Sequence, residues 1–305
     1  MPYLTNTSTM DLDVLPDHLI IAGGSSIGLE FAQMYRRFGS PVTVLEYGDR
    51  LIGREDPDVS EAVRLILEGE GIEVRLRVRD FAVAGAAGAI RLKATVDGAP
   101  LSCDGSHLLL AVGRKPNVEA LKLEKACIAL DRRSYIAVDD NLQTNVSGIW
   151  AIGDVNGRGA FTHTSYNDYE ILAGDLLDGD NRKVSDRIQA YALYIEPPLA
   201  RIGMNESEAR KSGRPVLKGY LPMARVGRAR ERGETEGFMQ VLIDAETKLI
   251  LGATLLGIEA DEFVHCLLDV MYVKAPYTVI QRAVHIHPTV SELVPTMLGD
   301  LKPLD

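Results

Sequence analysis

Blocks of basic residues are missing from this 305-residue sequence, in which 43 acidic side chains outnumber 33 basic ones and give a net charge of −10. Stripes that combine basic and aromatic side chains are missing as well. A general nucleic-acid-binding protein needs clustered positive charge to meet the phosphates. The composition therefore argues against a nucleic-acid partner.

Long apolar runs are also absent, and none reaches the length of a membrane-spanning helix. Residues 1–9 carry neither the charged region nor the apolar core of a secretory signal. We therefore expect a cytoplasmic protein without a membrane partner.

Cysteine is scarce, with three widely spaced residues at Cys103, Cys127 and Cys266. An odd number at these spacings suggests neither a disulfide framework nor a zinc site, so we predict reduced thiols and no metal centre. Cys266 lies in an apolar helical run, which favours core packing.

Glycine is plentiful at 28 residues, and one glycine-rich turn organises the chain. Residues 18–22 have the apolar character of a buried parallel strand, and residues 29–38 have helical spacing. A turn of this kind lets backbone amides approach a dinucleotide pyrophosphate at the positive end of a helix. An ordinary turn in another α/β protein is the alternative. The candidate cofactor-binding residues of the turn are Gly23, Gly24, Ser25, Ser26, Ile27 and Gly28.

An acid follows at the distance expected for a βαβ unit. Residues 42–45 form a second apolar strand, which ends on Glu46, where a carboxylate can bind the ribose 2′-hydroxyl. A carboxylate repels a 2′-phosphate, so Glu46 favours NAD over NADP. Arg50 and Arg54 lie slightly further on and keep NADP possible.

Further elements follow in order. Asp56 opens a helix that ends near Gly69 or Gly71, and a strand at 72–76 leads into a small antiparallel meander. Helices and strands of a third unit follow from Val184 onward. They are predicted at 206–211, 238–244, 249–256 and 261–273.

Two later apolar runs resemble buried strands that end at a ligand. Residues 108–112 break at Gly113, and residues 149–152 break at Gly153 and Asp154, before a helix at 162–168. An acid at the carboxyl end of a parallel strand can accept hydrogen bonds from sugar or ribityl hydroxyls. A plain Asp turn is the alternative for Asp154, and His163 is equally well explained as a loop histidine.

His287 is the strongest catalytic candidate. Pro288 restricts the backbone after it, and Glu292, five residues on, can orient the imidazole as a carboxylate–histidine pair. By itself a His-Pro turn is more often structural, and the family resemblance described below reverses that preference.

Five separated motifs, in order along nearly the whole chain, resemble the flavin-dependent pyridine nucleotide–disulfide oxidoreductases, above all the mercuric reductase-like and dihydrolipoamide dehydrogenase-like members. They lie at residues 23–30, 111–117, 149–154, 197–204 and 287–292.

The resemblance implies an α/β chain with a Rossmann-like NAD(P)-binding domain, part of an FAD-binding domain and an α+β dimerisation domain that forms a homodimer. The implied bounds are 1–17 for a crossover strand segment, 18–106 for the NAD(P)-binding domain, 107–185 for the returning flavin part and 186–305 for the dimerisation domain. The family's first glycine-rich turn and its pair of cysteines separated by four residues are not in this sequence. We expect a fragment, a split gene product or a truncated reading frame that lacks disulfide reductase activity alone.

The resemblance also implies residue roles. Glu30 matches the glutamate that pairs with a lysine beside the flavin, and Asp154, after Gly153, would bind the ribityl chain. Backbone at Thr162 and His163 would face the isoalloxazine, and His287 would serve the partner subunit's thiol. Ser26 stands where many members carry an aromatic residue that covers the flavin, and a serine cannot stack on the flavin in that way.

The leading hypothesis is an FAD- and NAD(P)H-dependent oxidoreductase that passes hydride between nicotinamide and flavin and on to a disulfide, a thiol or a metal ion. The alternative is a catalytically silent NAD-binding and dimerisation module complemented by another polypeptide. A short-chain dehydrogenase is disfavoured because no Tyr-x-x-x-Lys pair follows the turn.

Overall fold

The structure, a computed structural model, describes residues 3–304. The chain divides into two compact units: the first runs up to Val112 and resumes at Gln189, and the second is Gly113–Ile188. Met1, Pro2 and Asp305, which the predicted segments 1–17 and 186–305 include, lie outside the described residues.

A parallel four-stranded sheet with the order β3-β2-β1-β7 carries the glycine-rich turn in the first unit. Every residue of β1 and β2 is buried, as continuous apolar runs in a parallel sheet predict. The predicted strands at the start of the chain are therefore confirmed. The sheet consists of β1 (Leu19–Ala22), β2 (Val42–Leu45), β3 (Glu73–Arg75) and β7 (His107–Leu110).

Two helices cover this sheet. Helix α1 (Ser26–Phe38) begins three residues earlier than its apolar spacing predicts and ends at Gly39, whose φ of 109° suits glycine. Helix α2 (Pro57–Gly69) has proline in its first turn, as predicted. Leu19, Leu29 and Val63 are fully buried between these elements.

A three-stranded antiparallel meander with the order β4-β5-β6 is attached to the sheet, and this prediction is confirmed. Its buried residues Ile90 and Leu92 pack with Leu108 of β7. The strands are β4 (Val78–Ala86), β5 (Ala89–Val96) and β6 (Ala99–Gly105).

Strand β7 pairs in parallel with β1, with Leu19 opposite His107. The strand that the sequence assigns to the start of the flavin domain at residue 107 thus lies in the sheet of the nucleotide domain. The domain bounds themselves stay predictions.

A six-stranded sheet with the order β13-β10-β11-β12-β9-β8 forms the rest of the first unit, and all its pairings are antiparallel. Strands β11 and β12 are buried along their whole length and form its centre. The strands are β8 (Ala190–Leu193), β9 (Leu199–Gly203), β10 (Val216–Pro222), β11 (Phe238–Asp244), β12 (Ile250–Leu256) and β13 (Lys302–Pro303).

Short helices pack against this sheet. The helix predicted at 261–273 forms as two pieces, because the chain breaks its helical run at Val264. Helix α3 (Thr162–Ala173) belongs to the second unit, and the helices that follow it are α4 (Glu206–Lys211), α5 (Gly227–Arg232), α6 (Ala260–Phe263), α7 (His265–Tyr272), α8 (Thr278–Gln281) and α9 (Val294–Leu298).

The second unit contains helix α3 (Thr162–Ala173) and small apolar clusters around Ile136 and Leu142. The prediction of a buried strand at 149–152 is wrong. A strand needs a neighbour that pairs with it along several residues, and in the described part of this unit the segment makes only an isolated bridge between Gln143 and Trp150.

None of the helices in residues 3–304 combines the length and the hydropathy that crossing a membrane requires.

Candidate functional site

The glycine-rich turn is packed too tightly for side chains at two of its positions. A Cβ atom on Gly28 would lie 2.0 Å from the Gly23 carbonyl oxygen. Gly23 itself has a φ of 115°, and a Cβ there would lie 2.3 Å from the Ala111 carbonyl oxygen. Glycine therefore lets the turn pack against both α1 and the segment after β7.

The N-terminus of α1 is open to an anion. Ser25 is the N-cap residue in extended conformation, and its side chain makes no capping hydrogen bond. The first-turn amides of this 13-residue helix, from Ser26 to Gly28, have no partner within the helix itself. The positive end of the helix dipole adds to them, so the turn fits a pyrophosphate.

Glu46 is fixed beside this turn. Its Oε2 atom accepts a hydrogen bond from the Gly24 amide at 2.6 Å, and its Oε1 atom accepts one from the Gly48 amide at 2.6 Å. Two backbone donors hold the carboxylate at the carboxyl end of β2. Each oxygen has a further lone pair with which it could bind a ribose hydroxyl.

Cations lie near this acid as well. Arg79 of β4 stacks on the Tyr47 ring, with its guanidinium carbon 3.5 Å from the ring centroid. The Nε atom of Arg50 lies 4.0 Å from Asp49 Oδ1. Sequence reasoning identified Arg50 but missed Arg79. Arg79 lies far from Tyr47 in the sequence, and β4, the first strand of the meander, brings the two side chains together.

Glu30 extends from α1 toward β8 in the first unit. Its Oε1 atom accepts a hydrogen bond from the Tyr194 amide at 2.9 Å. Burial raises the pKa of Glu30, and the backbone hydrogen bond opposes that rise. The lysine partner that the family resemblance implies for Glu30 stays a prediction.

Asp154 of the second unit is half-exposed, and both of its carboxylate oxygens accept hydrogen bonds from other side chains. Its Oδ2 atom accepts a hydrogen bond from Arg114 Nη1 at 2.9 Å, and its Oδ1 atom accepts one from the Ser165 hydroxyl at 3.3 Å. Gly153, with a φ of 78°, turns the backbone just before it. Lone pairs remain on the carboxylate, so ribityl hydroxyls fit this position.

Sequence reasoning missed Asp168, a buried acid within α3. Its Oδ2 atom accepts hydrogen bonds from the Gly153 amide at 2.9 Å and from Asn156 Nδ2 at 2.7 Å, and it pairs with Arg187. The acid thereby holds the turn that carries Asp154. A lone Asp in a helical pattern gives no sequence signal for this role.

Thr162 and His163 begin α3, as predicted. The His163 ring stacks on Phe161 with the centroids 5.3 Å apart and the planes 9° apart. Gly113, where the apolar run at 108–112 ends, has a φ of 122° and nothing within 4 Å of a Cβ position. Its role toward a cofactor stays a prediction.

His287 and Glu292 form the expected pair. His287 Nδ1 lies 2.9 Å from Glu292 Oε2 and 3.1 Å from Glu292 Oε1. The histidine side chain is 78% exposed, whereas the glutamate is 15% exposed. Val284 and Ile286 beside it are 99% and 80% exposed. The carboxylate thus orients an imidazole whose Nε2 atom points away from the pair.

Within the part of the chain that the structure describes, His, Cys, Asp and Glu side chains form no group of three able to hold a metal ion. The residues predicted for pyridine nucleotide binding, together with Glu30, His287 and Glu292, belong to the first unit. Gly113, Gly153, Asp154, Thr162 and His163 belong to the second unit.

Comparisons with known proteins identify the family of this chain. A family model described as pyridine nucleotide-disulphide oxidoreductase matches residues 1–168, and its dimerisation domain matches residues 189–298. The chain therefore belongs to the pyridine nucleotide–disulphide oxidoreductase family, whose flavoprotein character implies the use of FAD and NAD(P)H.

Among known relatives, the chain is 36% identical over 288 residues to the probable pyridine nucleotide-disulfide oxidoreductase RclA of Escherichia coli, covering 94% of this chain and 64% of RclA. It is 32% identical over 280 residues to the dihydrolipoyl dehydrogenase of Thermus scotoductus, covering 91% of this chain and 60% of that enzyme. The chain thus spans less than two thirds of these relatives.

Solved structures show the same fold. The HOCl-induced flavoprotein disulfide reductase RclA of Escherichia coli in its Cu(II) complex matches with a TM-score of 0.89 and 34% identity, covering 97% of this chain and 67% of that one. LpdA of Mycobacterium tuberculosis matches with a TM-score of 0.89 and 25% identity, covering 97% of this chain and 64% of that one.

Proposed function

We propose that this chain supplies the pyridine nucleotide site, part of the FAD site and the dimerisation domain of an NAD(P)H-dependent flavoprotein oxidoreductase. The observation that carries the proposal is the strand–turn–helix at Gly23–Gly28 with Glu46 hydrogen-bonded to the Gly24 amide. A carboxylate held there binds ribose hydroxyls and repels a 2′-phosphate, so NAD is the preferred nucleotide.

The FAD site uses the second unit. Asp154 would bind the ribityl hydroxyls, Gly153 allows the turn before it, and backbone at Thr162 and His163 would face the flavin ring. When bound, the flavin supplies a hydride acceptor that passes electrons on in pairs. Asp168 positions this turn through its bond to the Gly153 amide.

His287 acts in proton transfer to a thiol across a homodimer interface. Its imidazole is exposed beside the exposed side chains of Val284 and Ile286, as a surface buried by a second copy would be. Glu292 fixes the Nδ1 atom and leaves Nε2 for chemistry. The matched dimerisation domain supports the homodimer.

The proposed electron acceptor is a disulfide or a metal ion. RclA is described as a disulfide reductase and is known in a Cu(II) complex, while other relatives are dihydrolipoyl dehydrogenases. The full reaction needs a redox cysteine pair that the sequence of this chain does not contain.

The test combines the 305-residue chain with a polypeptide that carries the family's first glycine-rich turn and cysteine pair. We expect a yellow complex whose flavin absorbance is lost on anaerobic addition of NADH. The variant His287→Gln should keep that flavin reduction and lose at least about 100-fold in disulfide reduction, because general acid–base groups contribute that much.

A second candidate is a catalytically silent NAD-binding and dimerisation module. It uses only the helix N-terminus of the glycine-rich turn and the matched dimerisation domain, neither of which requires flavin. NADH binding without any flavin uptake in the same experiment would support the silent module and contradict the oxidoreductase.

A further inference from the structure

A buried ion pair joins the antiparallel sheet to the loop that follows the nucleotide acid. Arg201 of β9 donates from Nε to Glu55 Oε2 at 3.1 Å, and its Nη2 atom contacts the same oxygen. The two side chains are 3% and 2% exposed. Both charges are removed from water, so each depends on the other for compensation, and loss of one partner would leave an unpaired buried charge.

Tyr191 of β8 completes the contact, because its hydroxyl donates a hydrogen bond to Glu55 Oε1. Both carboxylate oxygens of Glu55 are therefore occupied by residues of the antiparallel sheet. Burial and the neighbouring Glu55 charge raise the pKa of Tyr191, which keeps its hydroxyl a donor.

The adjacent Asp56 accepts hydrogen bonds from a second element of the same domain, the start of α4. Its Oδ2 atom accepts a hydrogen bond from the Glu206 amide at 2.8 Å, and its Oδ1 atom accepts bonds from the Ser207 amide at 3.2 Å and hydroxyl at 3.1 Å. Residues 55 and 56 are thus fixed by β9, β8 and the start of α4.

The other end of this segment, residues 51–56, contacts the dinucleotide turn. The Ile52 amide donates to the Gly24 carbonyl at 2.8 Å, and the Glu55 amide donates to the Ile52 carbonyl at 2.8 Å. Leu51 is buried so closely against Gly24 that a Cβ there would lie 2.6 Å from Leu51 Cδ2. The Gly24 amide in turn binds Glu46.

We propose that Arg201 is a positioning residue for the dinucleotide site: through Glu55 and the 51–56 segment it holds Gly24, and with it Glu46, in the geometry that binds the nucleotide. The proposal rests on the proposed function, since it assumes that this turn binds NAD(H). Arg201 itself touches neither the turn nor Glu46 and acts only through this chain of contacts.

The path is short and continuous. It runs from the Arg201 guanidinium to Glu55, from Glu55 to Ile52 and from Ile52 to Gly24, and each step is a direct hydrogen bond. Coupling along such contacts changes affinities by roughly 0.5–2 kcal/mol, which corresponds to about a twofold to thirtyfold change. Loss of the ion pair should weaken NADH binding within this range.

The first experiment measures NADH and ADP-ribose binding to the 305-residue chain by isothermal titration calorimetry. Arg201→Met should bind both ligands several-fold more weakly, because ADP-ribose carries the pyrophosphate and adenosine ribose that this site recognises. Arg214→Met, which removes the ion pair with Asp244 in the same domain, should bind them as the wild type does.

A double variant separates positioning from stability. Replacing both partners of a buried ion pair by apolar residues often restores stability, so Glu55→Met combined with Arg201→Met should unfold close to the wild-type temperature. The proposal predicts that its affinity for NADH stays low. Wild-type affinity in this double variant would overturn the proposal.

The second experiment needs no nucleotide. Hydrogen exchange at the Gly24 and Ile52 amides should be faster in Arg201→Met and in the double variant, and unchanged in Arg214→Met. Unchanged exchange at both amides would overturn the positioning role. A wild-type chain that does not bind NADH would instead contradict the proposed function, while the exchange rates still decide whether Arg201 holds the turn.

Discussion

The Glu46 carboxylate accepts a hydrogen bond from the Gly24 amide at 2.6 Å and so joins the acid at the end of β2 to the glycine-rich turn. The amide is therefore both part of the turn and the donor that fixes the acid. A change in the backbone of the turn must alter the position of the carboxylate as well. In the proposed nucleotide site, one hydrogen bond therefore joins the part expected to bind pyrophosphate to the part expected to bind ribose.

The turn should not tolerate a methyl group at Gly28. The added Cβ would lie 2.0 Å from the Gly23 carbonyl oxygen, so Gly28→Ala should destabilise the fold by about 1–3 kcal/mol and weaken NADH binding. Thermal unfolding and calorimetry measure the two effects. Gly53→Ala is the matched control, since nothing lies within 4 Å of a Cβ there. Equal stability of the two variants would contradict this packing.

Glu30 should make stability depend on pH in a defined direction. Burial raises its pKa above the ordinary 4.5, so its contribution to stability is complete below that pH and is lost as the pH rises through the folded-state pKa. Glu30→Gln keeps an acceptor for the Tyr194 amide without the charge. It should raise the unfolding midpoint by a few degrees at pH 7 and change it little at pH 4.

The control for this measurement is Glu124→Gln, because Glu124 is exposed. It should leave the midpoint nearly unchanged at both pH values. A lower midpoint for Glu30→Gln at pH 7 would show that the ionised carboxylate is stabilising in this chain.

The pair formed by His287 and Glu292 should fix the histidine tautomer. With Glu292 Oε2 at 2.9 Å from Nδ1, the neutral imidazole carries its proton on Nδ1 and leaves Nε2 as a base. Glu292→Ala should shift the neutral ring toward the Nε2-protonated form, which ¹⁵N NMR of the His287 side chain detects. An unchanged tautomer would mean that Glu292 does not orient the ring.

Much of the fold could be predicted because its signals are local. Strands β2 and β11 and helix α4 form with the predicted bounds, since each is a short, strongly patterned run. The pairing of His287 with Glu292 could also be predicted, because the two residues lie only five positions apart.

What could not be predicted depends on contacts between distant residues. Glu55 and Arg201 are 146 positions apart, and neither carries a motif that would indicate the other. The apolar run at 149–152 has a composition that predicts a strand. A strand forms only when another strand pairs with it, and the residues of the run do not specify that partner. Its Ala151 amide instead donates to the Leu142 carbonyl at 3.1 Å.

The most direct test of this account compares NADH and NADPH binding to the wild-type chain and to Glu46→Gln by calorimetry. We predict that the wild type binds NADH more tightly than NADPH. Because hydrogen bonds to charged groups contribute about 1.5–3 kcal/mol, the variant should lose roughly tenfold to 100-fold in NADH affinity together with most of its discrimination. Glu61→Gln, on the exposed side of α2, is the control and should bind as the wild type does. Equal NADH affinity in the wild type and in Glu46→Gln would contradict the assignment of the nucleotide site.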